Sequence, residues 1–266
     1  MNELWKVIVL GIVEGITEFL PVSSTGHLIV VADLIDFEGS IGGTFEIFIQ
    51  LGATLAVVVY FFRDLLDQAK RLPTDRTVQR FWLNILIAFL PAAIIGFLIH
   101  DWIKEVLFSP LVVAVALVLG GVILILVDRV EREGAISDLF AVPPKKALAI
   151  GIAQVAALIP GTSRSGATIV GGLLSGLDRK TATEFSFYLA IPTLGGATVF
   201  ELLTSLDQIG RDDALNLIVG AIVSFVVALV VIGWLLRYVQ THSFLLFGIY
   251  RIIAGATILA WWQWIA

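Results

Sequence analysis

The stretch EGITEFLPVSSTGH, residues 14–27, places two carboxylates, four hydroxyls and a histidine within an otherwise apolar region. On either side of its PVSSTG break the apolar piece runs only about a dozen residues, short of the ~20 that a membrane-crossing helix needs. Pieces this short, joined by Pro, Gly and hydroxyl residues, predict a re-entrant hairpin over residues 4–33 that dips to mid-membrane and returns. The same reading applies to residues 147–175, broken at PGTSRSG, residues 160–166.

Working outward, the rest of the chain supplies the membrane. Of 266 residues 58% are hydrophobic and 15% charged, and the mean hydropathy is +0.97, which predicts an all-α polytopic integral membrane protein. Full-length spans are expected at Thr44–Phe62, Phe81–Ile99, Leu111–Val127, Thr183–Leu203, Leu215–Leu236 and Phe244–Trp264. With no cysteine, disulfides, thiolate metal sites and cysteine nucleophiles are excluded. The first apolar stretch, interrupted by Glu14 and Glu18, does not read as a cleavable signal. The net charge of −5 says little about partners, because the placement of each charge relative to the bilayer matters more than the total; no nucleic-acid partner is expected.

The two broken regions resemble each other. A shift of 140 superposes Gly11-Ile12 on Gly151-Ile152, Glu14 on Gln154, Ser23 on Ser163, Thr25 on Ser165, Gly26 on Gly166 and Phe45 on Phe185. The chain therefore reads as a single membrane domain built from repeat 1 (1–133) and repeat 2 (134–266), each a hairpin plus three spans. An odd number of spans inverts the second repeat relative to the first, so that the interrupted helices meet near the midplane. Charge placement agrees. Arg63, Lys70, Arg71, Arg76, Arg80, Arg129, Arg132, Lys145, Lys146, Arg179, Lys180 and Arg237 fall on one side, and only Lys6, Lys104 and Arg211 on the other. The rich side is expected in the cytoplasm, with both termini outside.

Glu14, Glu18, Arg164 and Arg251 then sit inside apolar regions, where a charge costs roughly 2.5–3.5 kcal/mol on insertion scales, so a functional site is expected there. Arg251 calls for an anionic partner that the sequence does not name. Glu14 and Glu18 lie four apart and share a helical face. PVSST and GTSRS each precede a short helix whose first turn leaves N–H groups unpaired. Unpaired N–H groups, the hydroxyls of Ser23, Thr25, Ser163, Ser165 and Thr168, and a guanidinium aimed at one spot form an anion site suited to phosphate.

GIVEGITEFLPVSSTGH (11–27) and PGTSRSGAT (160–168), with EFSFYLAIP (184–192) and YRIIAGA (250–256), resemble the signature segments of the bacterial undecaprenyl-diphosphate phosphatases of the bacitracin-resistance type, and the similarity covers nearly the whole chain. The resemblance implies a phosphatase of the bacterial cytoplasmic membrane, with its site opening outward, that removes the terminal phosphate of undecaprenyl diphosphate and so recycles the lipid carrier for peptidoglycan. It also implies a divalent cation, Mg²⁺ or Ca²⁺, for which carboxylates are suitable ligands. The partners expected are the polyprenyl diphosphate, membrane lipid and, in an oligomeric state the sequence leaves open, further copies of the chain.

Within that frame Arg164 clamps the diphosphate. Ser163, Ser165 and Thr168 either donate to it or serve close helix packing. Glu14 and Glu18 hold the cation, orient the attacking group, or pair with Arg164. Ser24 is the expected attacker, and His27, three residues on, its expected base and acid. The rival is a transporter or flippase of the carrier lipid, since inverted repeats with broken helices are also a transporter architecture. A phosphohistidine mechanism is disfavoured because SRSGATIVGG (163–172) contains no second histidine.

Overall fold

The computed structural model describes residues 4–37, 44–107, 109–130, 135–205 and 214–265. The chain is helical nearly throughout: α1 (Leu4–Thr17), α2 (Ser24–Leu34), α3 (Thr44–Tyr60), α4 (Phe62–Arg71), α5 (Arg76–Leu98), the single turn α6 (His100–Trp102), α7 (Pro110–Asp128), α8 (Pro144–Val155), α9 (Arg164–Leu174), α10 (Arg179–Ser205), α11 (Ala214–Thr241) and α12 (Leu245–Ile265). It is an all-α, multi-pass membrane protein. Among the described residues, α5, α7 and α11 are long and apolar enough to cross a bilayer, and α3 with α4 forms a fourth such unit bent by 65°. α10, with 27 residues, is nearly as long as the 28-residue α11, but Thr181, Thr183, Ser186 and Thr198 are buried along it, so its length outruns its hydropathy.

Each broken region is a pair of short helices. In the first, α1 has 14 residues and α2 has 11; in the second, α8 has 12 and α9 has 11. At 1.5 Å per residue none exceeds about 21 Å, less than the ~30 Å hydrocarbon core. The expected span Thr44–Phe62 ends earlier, at Tyr60, where the chain turns into α4. That helix carries Arg63, Asp64, Asp67, Lys70 and Arg71, charges that keep it out of hydrocarbon. Several other helices run past their expected limits, as α5 does in starting at Arg76, because a helix continues after its hydropathy ends. Arg132 and Arg211, used above in reading the topology, lie outside the described residues, as do Ser40 and Gln208 and the side chains of Lys104, Trp262 and Trp264.

The short helices are wedged against long ones by glycine. A side chain at Gly15 would bring its Cβ to 2.7 Å from the Ser224 carbonyl oxygen of α11, and one at Gly11 to 2.9 Å from that of Gly220. In the second region Gly151 of α8 is pressed in the same way on the Ala88 backbone of α5. Small residues that let helix backbones touch are the usual means of association in lipid, where no hydrophobic driving force separates helix from solvent. We expect Gly15→Val to push α1 off α11 and cost about 1–3 kcal/mol, read as a lower melting temperature in detergent; an unchanged one would show that the contact relaxes freely.

On the basic side, Arg179 Nε donates to Asp128 Oδ1 at 2.6 Å, and the Phe244 N–H donates to Asp128 Oδ2 at 2.9 Å. One buried carboxylate thereby ties together the ends of α7, α10 and α12.

Candidate active site

Both breaks end on a serine with left-handed backbone. Ser23 has φ 74° and ψ 101°, Ser163 has φ 72° and ψ 118°, a region that costs a non-glycine residue on the order of 1–3 kcal/mol and is found at functional sites. Each serine caps the helix that follows. Ser23 Oγ accepts from the Gly26 N–H at 3.4 Å, and Ser163 Oγ from the Gly166 N–H at 3.1 Å. The caps turn the chain sharply and aim the first turns of α2 and α9 inward, one carrying Ser24 and the other Arg164.

Those two residues meet on one carboxylate. Ser24 Oγ donates to Glu18 Oε2 at 2.6 Å, and Arg164 Nη2 donates to Glu18 Oε1 at 3.3 Å. Glu18 is 6% exposed, and the Arg164 side chain 9%. One Glu18 oxygen thus accepts from a hydroxyl and the other from a guanidinium. The opposite side of Arg164 is fixed as firmly. Its Nη1 donates to the Ser186 carbonyl at 3.0 Å and lies 3.3 Å from Ser186 Oγ, while its Cζ sits 5.7 Å from the centre of the Phe19 ring. Its Nε is buried and has no partner among the described residues. Leaving such a donor unmet costs on the order of 1–3 kcal/mol.

The remaining expected residues divide by what their protons do. Ser165 Oγ donates to the Leu20 carbonyl at 2.7 Å, linking the second break to the first. Since a carbonyl only accepts, the 3.0 Å contact between Ser163 and Ser165 is donated by Ser163. Thr168 Oγ1 lies 2.9 Å from the Arg164 carbonyl and 2.7 Å from Ser186 Oγ. Of the two roles expected of Ser163, Ser165 and Thr168, these bonds belong to the packing one: the hydroxyls brace Arg164 and the breaks. Thr25 is half-buried on the first turn of α2. Glu14 is 1% exposed and within electrostatic reach of Glu18, Glu46 and Arg164, and its carboxylate makes no hydrogen bond among the described residues.

Two further expectations change. His27 does not touch Ser24. Its Nδ1 reaches back 2.6 Å to the Ser23 carbonyl and its Nε2 lies 2.5 Å from the Tyr250 hydroxyl, while the Ser24 hydroxyl is held by Glu18. Arg251, 1% exposed, has carbonyls where an anion was expected: Pro21 at 3.1 Å, Gly161 at 3.1 Å, Ala116 at 3.2 Å and Leu117 at 3.3 Å. Helix breaks leave carbonyls unpaired, and a fork of five N–H donors satisfies both breaks and α7 at once. We expect Arg251→Met to destabilise the fold by several kcal/mol through the orphaned carbonyls, seen as loss of folded protein on size-exclusion chromatography; a monodisperse variant would show that the breaks hold without it.

The family model described as bacitracin resistance protein BacA matches residues 7–257. The chain belongs to this family. It is 49% identical over 266 residues, 99% of its length and 96% of the relative's, to an undecaprenyl-diphosphatase of Pseudomonas savastanoi pv. phaseolicola. It is 50% identical over 264 residues to one from Pseudomonas syringae pv. tomato, and 48% over 261 residues to one from Albidiferax ferrireducens. In this BacA family member the sequence singled out neither Ser186 nor Tyr250 as a site residue, although both lie within the segments that carry the resemblance. A lone hydroxyl in an apolar span was the available signal for Ser186; for Tyr250 there was none, because its partner is 223 positions away.

Proposed function

We infer that this protein hydrolyses undecaprenyl diphosphate to undecaprenyl phosphate and phosphate, recycling the lipid carrier of cell-wall synthesis and contributing to bacitracin resistance. The activity follows from the named relatives and the family. The observation that carries the chemistry is the Ser24–Glu18–Arg164 chain: a hydroxyl held on a carboxylate, and that carboxylate on a guanidinium with an unused N–H. In the reading these residues support, Ser24 Oγ attacks the terminal phosphorus and passes its proton to Glu18. The bond from that phosphorus to the bridging oxygen breaks, and undecaprenyl phosphate leaves. Arg164 stabilises the charge on the phosphate oxygens. Water then attacks the phosphoserine, returning Ser24 and releasing phosphate. The test is phosphate release from undecaprenyl diphosphate by purified protein in detergent, with Arg164→Ala as control; release unaffected by that substitution would sink the assignment.

A divalent cation, Mg²⁺ or Ca²⁺, fits this donor set only in part. Both Glu18 oxygens already accept from the protein, Glu14 is uncommitted, and no three metal-binding side chains converge among the described residues. One or two carboxylates completed by phosphate oxygens suffice for Mg²⁺, so Glu14, with Glu18, would hold it. When bound it would neutralise charge on the diphosphate.

The inverted repeats, the bacterial inner membrane and the outward-opening site complete the proposal, supported by the matched caps at Ser23 and Ser163 and by the asymmetry of basic residues. The cysteine-free chain allows single-cysteine labelling. Thr74→Cys and Ser137→Cys are expected to react only from the cytoplasm, and Ser40→Cys and Gln208→Cys only from outside. Labelling of Ser40→Cys and Thr74→Cys from one side would contradict the topology.

A further inference from the structure

His27 is engaged on both ring nitrogens, and neither faces Ser24. The Ser23 carbonyl can only accept, so Nδ1 carries a proton; in the neutral imidazole this leaves Nε2 to accept from the Tyr250 hydroxyl. The two rings stack with centroids 5.5 Å apart and planes 9° from parallel. The oxygen that Nδ1–H grips belongs to the peptide joining Ser23 to Ser24, and it lies on the residue whose φ is left-handed.

The second break provides an internal comparison. There the Ser163 carbonyl accepts the ordinary first bond of the helix, from the Ala167 N–H, at 2.9 Å; in the first break the equivalent bond from the His27 N–H to Ser23 is stretched to 3.4 Å. The alanine at the position equivalent to His27 offers no side-chain donor, and none is needed. In the first break the imidazole replaces a weakened backbone bond, and this is the break that carries the attacking hydroxyl.

We propose that Tyr250 is a positioning residue for the phosphatase reaction, acting through His27 on the Ser23–Ser24 peptide and so fixing the direction of the Ser24 hydroxyl. This rests on the reading of Ser24 as attacker. Tyr250 holds Nε2 and thereby the ring's tautomer and tilt; Nδ1–H holds the peptide plane; that plane sets where Ser24 Oγ and the first N–H of α2 point. A small rotation there misplaces the attacking oxygen, and misplacement by about 1 Å costs on the order of 100-fold in rate.

The test is a set of variants assayed on undecaprenyl diphosphate in detergent, each checked for an unchanged melting temperature. Tyr250→Phe keeps the ring stack and removes only the hydroxyl; it is expected to lower kcat roughly 10- to 100-fold with KM within about twofold. His27→Asn, whose amide N–H can take the place of Nδ1–H on the Ser23 carbonyl, is expected to retain clearly more activity than His27→Ala. Adding Tyr250→Phe to His27→Asn should cause no further loss, because the tyrosine acts only through the imidazole. A wild-type kcat in Tyr250→Phe, or a loss that multiplies fully with that of His27→Asn, overturns the proposal, the second by placing Tyr250 on the substrate. A rise in KM alone overturns it in the same way. Ser24→Ala run alongside separates the two layers: turnover retained there removes Ser24 as attacker and the proposal with it, whereas an inactive Ser24→Ala beside a fully active Tyr250→Phe removes only the positioning role.

Discussion

Ser24→Ala is expected to lower turnover by at least about 10³-fold while leaving substrate binding near normal. The substitution deletes one oxygen and its 2.6 Å bond to Glu18. It leaves intact the Ser23 cap, the Arg164–Glu18 pair and the Arg251 bonds to both breaks. Because the groups that would bind the diphosphate remain, affinity measured with a non-hydrolysable analogue should change little, and the loss should fall on kcat. Glu18→Gln should resemble it, since an amide offers the hydroxyl an acceptor but takes no proton. Substantial turnover in Ser24→Ala would pass the attack to water.

Arg164→Lys, although it conserves charge, is expected to lose about 10²- to 10³-fold in kcat with near-normal protein abundance. The guanidinium is held at two points, Nη2 on Glu18 and Nη1 on Ser186, and its Nε is buried without a partner among the described residues. An ammonium on a flexible stem can keep the pairing with Glu18, which preserves the fold, but it cannot hold a planar edge toward phosphate at the same time. Near-wild-type turnover in Arg164→Lys would reduce Arg164 to charge balance for Glu18.

What was legible in the sequence follows from how local each feature is. The two broken regions were readable because Pro, Gly and hydroxyl residues interrupt apolar runs within a few positions, and the structure places a left-handed serine in each. For Glu18 and Arg164, the pairing offered as the alternative to a functional role is present, and the same guanidinium keeps a buried N–H without a partner, so the pairing does not use up its donors. The bend after Tyr60 was invisible to hydropathy because Tyr60, Phe61 and Phe62 are all aromatic. Spacing suggested a Ser24–His27 pair, since residues three apart share a helix side. What spacing does not contain is the competition for the imidazole between a carbonyl one turn back and a tyrosine from α12. Arg251 was misread for a related reason. Its partners are main-chain oxygens freed by breaks far away in sequence, and no residue type announces them.

The central claim is that a protein oxygen, Ser24 Oγ, rather than water, attacks the terminal phosphorus. The stereochemical course of the reaction tests it most directly, using undecaprenyl diphosphate whose terminal phosphorus is made chiral by sulfur and oxygen isotopes and following configuration into the released thiophosphate. Two successive in-line displacements, first by Ser24 and then by water, predict retention of configuration; inversion would mean a single direct attack by water and would contradict the account.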